Sequence, residues 1–593
     1  MALQSKTQIF IGGTKITAYK KLMLHQEIDA HHTLELVCRM DVLEDLLQDI
    51  ASESKNYLGQ IITVQVSSLG GFSGYKELEF KGIVTSVNST KGFHQQNGDL
   101  ITIQAHSCSI IADDGPNHAS HIDEDLGSIL SKTFQGYDQS KLETVFNPSN
   151  SDTLHYSVQH NESAYEYSSR LAAQYSEWFY YDGKALIFGK PEDEGEVTLT
   201  YGHDLQEFSI NLNPVSNKYK YFTNDYLTNG QHNKSTSQVS SGTNGYNGFT
   251  SNKSDEIFSK ETAIYLNSYD DPQLKPRLDH LVEQQKKANE IKQVVAKGIS
   301  DNPGVNLGKV IKIKGDSDYG TFRITRISHT STENGKYQNK FEGVTADINA
   351  YPNTDIKAFP KSDTQVAIVR ENSDPDGLSR IRVEFPWQKE AGELTPWLRV
   401  VTPHAGGDKG FHFIPEVDEE VLIGFEGANA ERPYVIGTLY NGGANPSSWQ
   451  TQSNDVKAIR TRSGHTIELN DAKGGEFITI SDKNGNTVEI DTVKNNISVT
   501  AGETMTFNAK NIKISAEENI EMTAGKDFTK SISDNYNVMT KNNTVIIEEN
   551  LSIDSKKQVN VSDEITLSSN KQNLTLTSGK TVDVQSKEKV KLF

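Results

Sequence analysis

The chain has 593 residues with 59 Lys+Arg against 79 Asp+Glu, a net charge of −20 and a pI near 5.3, which argues against a duplex-binding face and hence against nucleic acid as a partner. Two cysteines, Cys38 and Cys108, cannot build a disulfide framework or a four-thiolate zinc site and point to a reducing compartment. No apolar run reaches the ~18–20 residues a membrane span needs, and Met1–Phe10 carries no basic-then-apolar signal pattern. The expectation is a cytoplasmic protein of about four domains that leaves the cell, if at all, by a route without a signal peptide. An apolar fraction of 35% with 44 glycines is slightly low for a globular chain and suggests that part of the molecule is thin.

In the N-terminal half, period-2 stretches at Thr7–Ile11, Thr33–Cys38, Ile61–Val66, Leu78–Val87 and Leu100–Ala105 predict strands. Val42, Leu43, Leu46, Leu47 and Ile50 form one stripe of a helix at Asp41–Ile50. A helix and a following strand are expected within 155–183. Residues 217–256, rich in Asn, Ser, Gly and Thr, read as an exposed loop. A helix with an acidic cap and an early proline starts at Asp270-Asp271-Pro272. Leu274, Leu278, Leu281, Val282, Ala288, Ile291 and Val295 carry its stripe to about Gly298. This helix packs on its own domain or, alternatively, contacts another protomer. A second small barrel is expected over Asn306–Ala346.

Residues 364–440 predict five or six short strands in under 80 residues, as in an OB-fold. Gln365–Val369, Ser379–Phe385, Thr395–Val401, Glu420–Phe425 and Arg432–Tyr440 are the candidates, with turn chemistry at Asn372–Gly377 and Ala405–Gly410. The ordered strings Asp376–Trp387, Trp397–Val400, Gly410–Val417, Glu420–Leu422, Arg432-Pro433 and Gly437–Asn441 resemble the OB-fold of the VgrG family, the spike proteins of type VI secretion systems, related to the hub and spike of contractile phage tails. Ile459–His465 with Ile467–Asp471 resembles the collar that follows in that family. Val158–Leu171 with Trp178–Gly183 resembles a helix and strand of its phage-hub-like base, with Glu162, Arg170 and Leu171 at matching places. Two positions depart from the family pattern. Asp418 stands where glycine is expected, in a turn that Asp can still make through a left-handed conformation, and Gln388 follows Trp387 where an acid is common.

From Val488 to the end, apolar residues come in i, i+2 pairs: Val488/Ile490, Ile497/Val499, Met505/Phe507, Ile512/Ile514, Ile520/Met522, Tyr536/Val538, Leu551/Ile553, Val559/Val561, Ile565/Leu567, Leu574/Leu576, Val582/Val584 and Val590/Leu592. Phe528/Lys530 and Thr544/Ile546 are weaker members, and Lys530 interrupts the stripe. The first members recur every six to nine residues. Residues i and i+2 of a strand share a face, so each repeat is a short strand with one apolar face that it cannot bury alone. A repetitive prism or solenoid fits better than an ordinary sheet, because few junctions carry Asn-Gly or Asp-Gly hairpin turns. Two inward residues per edge make a narrow core, which favours several chains sharing it over a single-chain solenoid. With three chains the thirteen steps give a needle of about 60 Å at ~4.8 Å per strand.

The search for chemistry is negative. The histidines do not join Cys or carboxylates at metal-site spacing. Gly579-Lys580-Thr581 lacks the earlier glycine of a phosphate loop, since position 574 is Leu574. Gly71-Phe72-Ser73-Gly74 is no nucleophile elbow, with Tyr75 in fifth place. Pairs such as Glu192/Glu194 and Glu548/Glu549 suit a solvated surface. No catalytic residue, cofactor or metal is expected.

The fold class is therefore mainly β with some α. Residues 1–355 form a phage-hub-like base of two β-barrel subdomains with helices, 360–445 an OB-fold, 446–487 a collar or linker, and 488–593 an intertwined triangular β-prism of a homotrimer. The resemblance implies a non-enzymatic, membrane-puncturing spike. It docks on an Hcp tube and on baseplate proteins, carries a PAAR-type tip protein on Val590, Lys591, Leu592 and Phe593, and delivers non-covalent effectors, directly or through adaptors. The alternatives are a spike of a phage or phage-tail-like contractile particle and a glycan-active β-solenoid enzyme.

Overall fold

The computed structural model describes residues 5–39, 54–69, 77–90, 99–192, 195–267 and 273–591. The helix expected at Asp41–Ile50, the segment Gly71–Gly74, the cap Asp270–Pro272, Glu194, Leu592 and Phe593 lie outside the described residues.

Each predicted N-terminal strand forms. They are β1 (Ser5–Ile11), β4 (Thr33–Arg39), β5 (Ile61–Ser68), β6 (Leu78–Thr90) and β7 (Leu100–Ser107); β2 (Thr14–Ile16) and β3 (Lys21–Glu27), which the sequence reading did not single out, lie between the first two. Their alternation is used as a face: Leu34, Leu36 and Cys38 of β4 turn inward, as do Ile62, Val64 and Val66 of β5. A one-residue slip would turn either set to solvent, so the hydrophobic pattern sets the register.

β8 (Asn117–Glu124), helix α1 (Leu126–Thr133), β9 (Glu143–Asn147), β10 (Leu154–Glu162), helix α2 (Ala164–Tyr175), β11 (Phe179–Tyr181) and β12 (Ala185–Gly189) follow. The helix and strand expected within 155–183 are thus α2 and β11. α2 begins with a reciprocal cap, in which Ser163 Oγ accepts from the Glu166 amide and Glu166 accepts from the Ser163 amide. It ends on Ser176 in the left-handed region, φ 61°.

β13 (Glu196–Thr200) and β14 (Leu205–Leu212) lead into the segment read as a loop. That reading is corrected by the structure. Residues 217–256 hold the hairpin β15 (Tyr219–Asp225) and β16 (Gly230–Ser235) and most of helix α3 (Gly245–Ile257). Polar composition misled here because α3 turns Asn247, Thr250 and Ser254 inward while Tyr246, Phe249 and Ile257 stay exposed. The buried hydroxyls are satisfied: Thr250 donates to the Tyr246 carbonyl at 2.7 Å, and Ser254 accepts from the Val215 amide at 3.1 Å.

After β17 (Thr262–Tyr265), helix α4 runs Leu274–Ile291 and buries Leu274, Leu278, Leu281, Val282, Ala288 and Ile291 within its own unit. It stops short of the predicted Gly298. Val295 belongs instead to β18 (Val294–Ser300), where pairing with two neighbouring strands replaces helical spacing. The second barrel is also corrected. β19 (Val310–Lys314), β20 (Asp318–Thr332) and β21 (Tyr337–Thr345) do not stand apart, because β20 pairs with β3 from Arg326↔Glu27 to Thr332↔Lys21. A single 13-stranded sheet therefore joins both ends of the base in the order β14-β18-β21-β20-β3-β4-β7-β6-β5-β1-β2, with β19 on β20 and β13 on β19.

β22 (Gln365–Glu371), β23 (Arg382–Glu384), the short hairpin β24 (Ala405–Gly406) and β25 (Lys409–Gly410), β26 (Glu420–Phe425) and β27 (Pro433–Leu439) build the small β-domain. Its sheet order is β23-β22-β26-β27 around Ala367, Val369, Ile381, Val383, Phe385, Leu398, Val421, Ile423 and Val435. The strand expected at Thr395–Val401 makes only the bridges Ile381↔Leu398 and Val400↔Val435. Asp418 does adopt the left-handed turn, at φ 69°.

β28 (Val456–Arg460) pairs with β29 (Thr466–Asn470); β30 (Phe477–Ser481), β31 (Thr487–Asp491) and β32 (Asn496–Thr500) follow. The chain divides into two units, Met1–Ile480 with Glu489–Ile497, and Ser481–Val488 with Ser498–Phe593. Among the described residues no helix is long and apolar enough to cross a membrane.

Candidate functional site

The tail is where sequence and structure diverge most from an ordinary core. The pairs Val488/Ile490 and Ile497/Val499 lie on β31 and β32. Beyond Thr500 the chain forms no helix or strand among the described residues and bends at 502, 510, 517, 525, 533, 541, 548, 556, 563, 570, 579 and 587, between successive apolar pairs. Met505, Phe507, Ile512, Ile514, Ile520, Met522, Val559, Val561, Leu574, Leu576, Val582, Val584 and Val590 are all exposed, Phe507 at 73% and Val561 at 90%. Among described residues 501–591 there is no strand and no backbone-to-backbone hydrogen bond within the chain. Neither a hairpin sheet nor the ladder of a single-chain solenoid forms. A backbone whose amide and carbonyl groups find no backbone partner in the chain, beside a repeating apolar stripe, is a pairing surface. At Lys530 the stripe has a different character. The ammonium lies 5.1 Å from the Phe528 ring and 4.9 Å from the Tyr536 ring, and donates to the Tyr536 hydroxyl at 2.9 Å.

In the first unit, the residues matched from sequence in α2 form a buried charge cluster against the small β-domain. Arg170 Nε donates to Glu162 at 2.6 Å, Nη2 to the Val158 carbonyl at 2.6 Å, and Nη1 to Glu431 at 3.3 Å. Burial works against the guanidinium's charge, yet the Glu431 and Glu162 carboxylates hold its pKa above the ordinary arginine value. Glu431, in the loop before β27, also accepts from the Val158 amide at 3.3 Å. The seam continues with Gln388, which accepts from the Phe385 amide at 2.9 Å and donates to Ser120 at 2.8 Å. Ser120 in turn donates to Glu393 at 2.6 Å. The glutamine that departs from the family pattern is thus built into the junction. Tyr156, Val158 and Ala430 supply its apolar part, with Trp387 and Phe425 against them.

Sequence reasoning singled out Glu162 and Arg170 but not Glu431 or Glu393. No local pattern marks a buried acid in a chain with 79 of them. The histidines near the seam serve packing: the His118 ring lies 4.8 Å from His160 and 5.9 Å from Trp387, and burial holds both imidazoles below their ordinary pKa. Among the described residues no group of three His, Cys, Asp or Glu is placed to hold a metal ion. A cavity of about 610 Å³ beside the junction is lined by Tyr226, Trp397, Arg399, Glu426, Arg432 and Tyr434, among others.

Comparison with known proteins assigns the two halves of this unit. A profile for the phage tail baseplate hub (GPD) matches residues 30–335, just over half of the chain. The chain belongs to the phage tail baseplate hub family. A second profile, the type VI secretion system/phage-baseplate injector OB domain, matches residues 365–440, so the OB-fold read from Asp376–Asn441 is borne out. Among curated proteins, the type VI secretion system spike protein VgrG4b of Pseudomonas aeruginosa is 30% identical over 115 residues, 18% of this chain and 14% of that protein. VgrG1c of the same organism is 25% identical over 153 residues, 24% of this chain and 21% of that protein. The matched region spans less than a quarter of these relatives' length. A solved Francisella PdpA–VgrG complex, lidded form, superposes with a TM-score of 0.55 at 11% identity over 84% of this chain and 80% of that one, a likeness of fold. The resemblance to VgrG spikes drawn from the sequence stands: this member of the hub family is a spike- and hub-like protein of the type VI secretion and phage baseplate kind.

Proposed function

We propose that the chain is the homotrimeric puncturing spike of a type VI secretion apparatus. One observation carries the reading: a tail that repeats an apolar pair about every eight residues, bends between the pairs, and over described residues 501–591 leaves those pairs exposed and makes no backbone-to-backbone hydrogen bond within its own chain. Three such tails wound together satisfy the backbone from strand to strand. They also bury Val488, Ile490, Ile497, Val499, Met505, Phe507, Ile512, Ile514 and the later pairs along a common axis, each large aliphatic side chain contributing about 1.5–3 kcal/mol. Failure under axial load requires many hydrogen bonds to break together, so the rod transmits force, and its work is mechanical rather than enzymatic.

In this reading the base seats on the Hcp tube and baseplate proteins in the cytoplasm. The end at Val590, Lys591, Leu592 and Phe593 takes a PAAR-type tip protein. Effectors or their adaptors ride non-covalently, and the target membrane is crossed by puncture. The VgrG–PdpA pairing named for the Francisella complex supports a partner-carrying role.

The test is the mass of the full chain in solution. Analytical ultracentrifugation is expected to return about three times 65.8 kDa, persisting in detergent. A folded, compact monomer overturns the proposal. Co-purification with a secretion tube protein rather than a phage tail tube separates the apparatus from a phage-like particle.

A further inference from the structure

Lys530 occupies a slot of the apolar stripe, two residues after Phe528 and between the pairs Ile520/Met522 and Tyr536/Val538. In the structure its ammonium touches residues of its own repeat and of the next one, across the bend at 533. The stripe side chains of these two consecutive repeats therefore meet on one side of the chain. The ammonium finds two aromatic faces and a phenol oxygen there, rather than a carboxylate. The stripe slots around it, Ile520, Met522, Phe528, Tyr536, Val538, Thr544 and Ile546, offer no acid either.

We infer that Lys530, Phe528 and Tyr536 form an anion site inside the needle. The inference rests on the trimeric reading above. Three chains bring three Lys530 ammonium groups together around the axis. An ammonium has three donors, of which one is spent on the Tyr536 hydroxyl. The rings of Phe528 and Tyr536 attract the cation from the sides and leave the remaining N–H groups for the axis. Three like charges in an otherwise apolar interior repel strongly, because the low dielectric amplifies the interaction, and a buried charge needs a partner. A compact inorganic anion on the axis, accepting one charge-assisted hydrogen bond from each chain, supplies that partner. The class is a halide or a small oxyanion, compact enough to accept from three ammonium groups at once.

The experiment uses the full-length protein. Thermal dissociation of the trimer is followed in sodium chloride, sodium bromide, sodium phosphate and sodium gluconate at equal ionic strength, for the natural chain and for Lys530→Met. Methionine keeps the volume and matches neighbouring Met522, and replacing a buried charge by an apolar side chain is neutral or stabilising. The natural trimer is expected to dissociate at a higher temperature in chloride and bromide, or in phosphate, than in gluconate. Which of the three stabilises names the anion. Lys530→Met is expected to remain trimeric and lose the difference. A bromide peak on the threefold axis beside Lys530 in anomalous diffraction supports the halide. A natural trimer indifferent to the anion, or a dependence unchanged in Lys530→Met, overturns the site while leaving the trimer intact. A monomeric natural chain overturns the trimeric reading and the site with it.

Discussion

The base and the tail use the same strand grammar with opposite outcomes. In β4 the residues Leu34, Leu36 and Cys38 alternate with polar neighbours and are fully covered, because β3 and β7 of the same chain lie on either side. In the tail Ile512 and Ile514 alternate in the same way and stay exposed, with no strand of the chain beside them. A period-2 pattern therefore declares which face wants burial and says nothing about who buries it. The base finds its cover within itself, through pairings as remote as β20 on β3. Among the described residues from 501 on, the tail finds no such cover in its own chain.

The sharpest way to break this comparison is to charge the stripe. Ile512→Asp with Ile514→Asp puts six carboxylates into the shared interior of a trimer. The double variant is expected to sediment as a monomer while the near-ultraviolet circular dichroism of the base stays unchanged; retention of the trimeric mass would show that the tail does not hold the chains together. A second test acts on the base alone. Arg170→Met leaves Glu162 and Glu431 facing each other in a buried seam, at a cost of about 3–5 kcal/mol for an uncompensated charge. The denaturant midpoint of the base, followed through Trp178 and Trp387, is expected to fall accordingly, with dissociation of the tail unaffected.

The smallest effect is an acid titration that also separates the two regions. His32 and His329 are enclosed in the base, bonded to the two ends of the Gln26 amide at 3.1 and 2.9 Å. Burial lowers both imidazoles from the ordinary 6.5 to about 3. They stay neutral in the fold but take up protons below 6.5 once unfolded. The base therefore has its full stability above that pH and loses it progressively as the pH falls toward 3, by about 2 kcal/mol per histidine at pH 5. Urea midpoints at pH 7 and pH 5 check this, and His329→Gln should flatten the dependence. From Ala501 on the tail has no histidine, so its dissociation is expected to lack this component.

What could be read without coordinates is what short-range rules control. The alternation of β1, β4, β5, β6 and β7, the apolar stripe of α4 from Leu274 to Ile291, the left-handed turn at Asp418 and the tail's period follow from side-chain spacing and backbone preference, which neighbouring residues alone determine. The strings from Asp376 to Asn441 and from Val158 to Gly183 identified the family because each is long and ordered. What only the tertiary structure decided is what lies far apart in the chain. Nothing local tells that β20 lies on β3, that Glu431 closes a charge cluster with Arg170 261 residues away, or that α3 turns its hydroxyls inward and its aromatic rings out. Burial and charge compensation are properties of the surroundings, and the surroundings are made by chain that sequence neighbours do not supply.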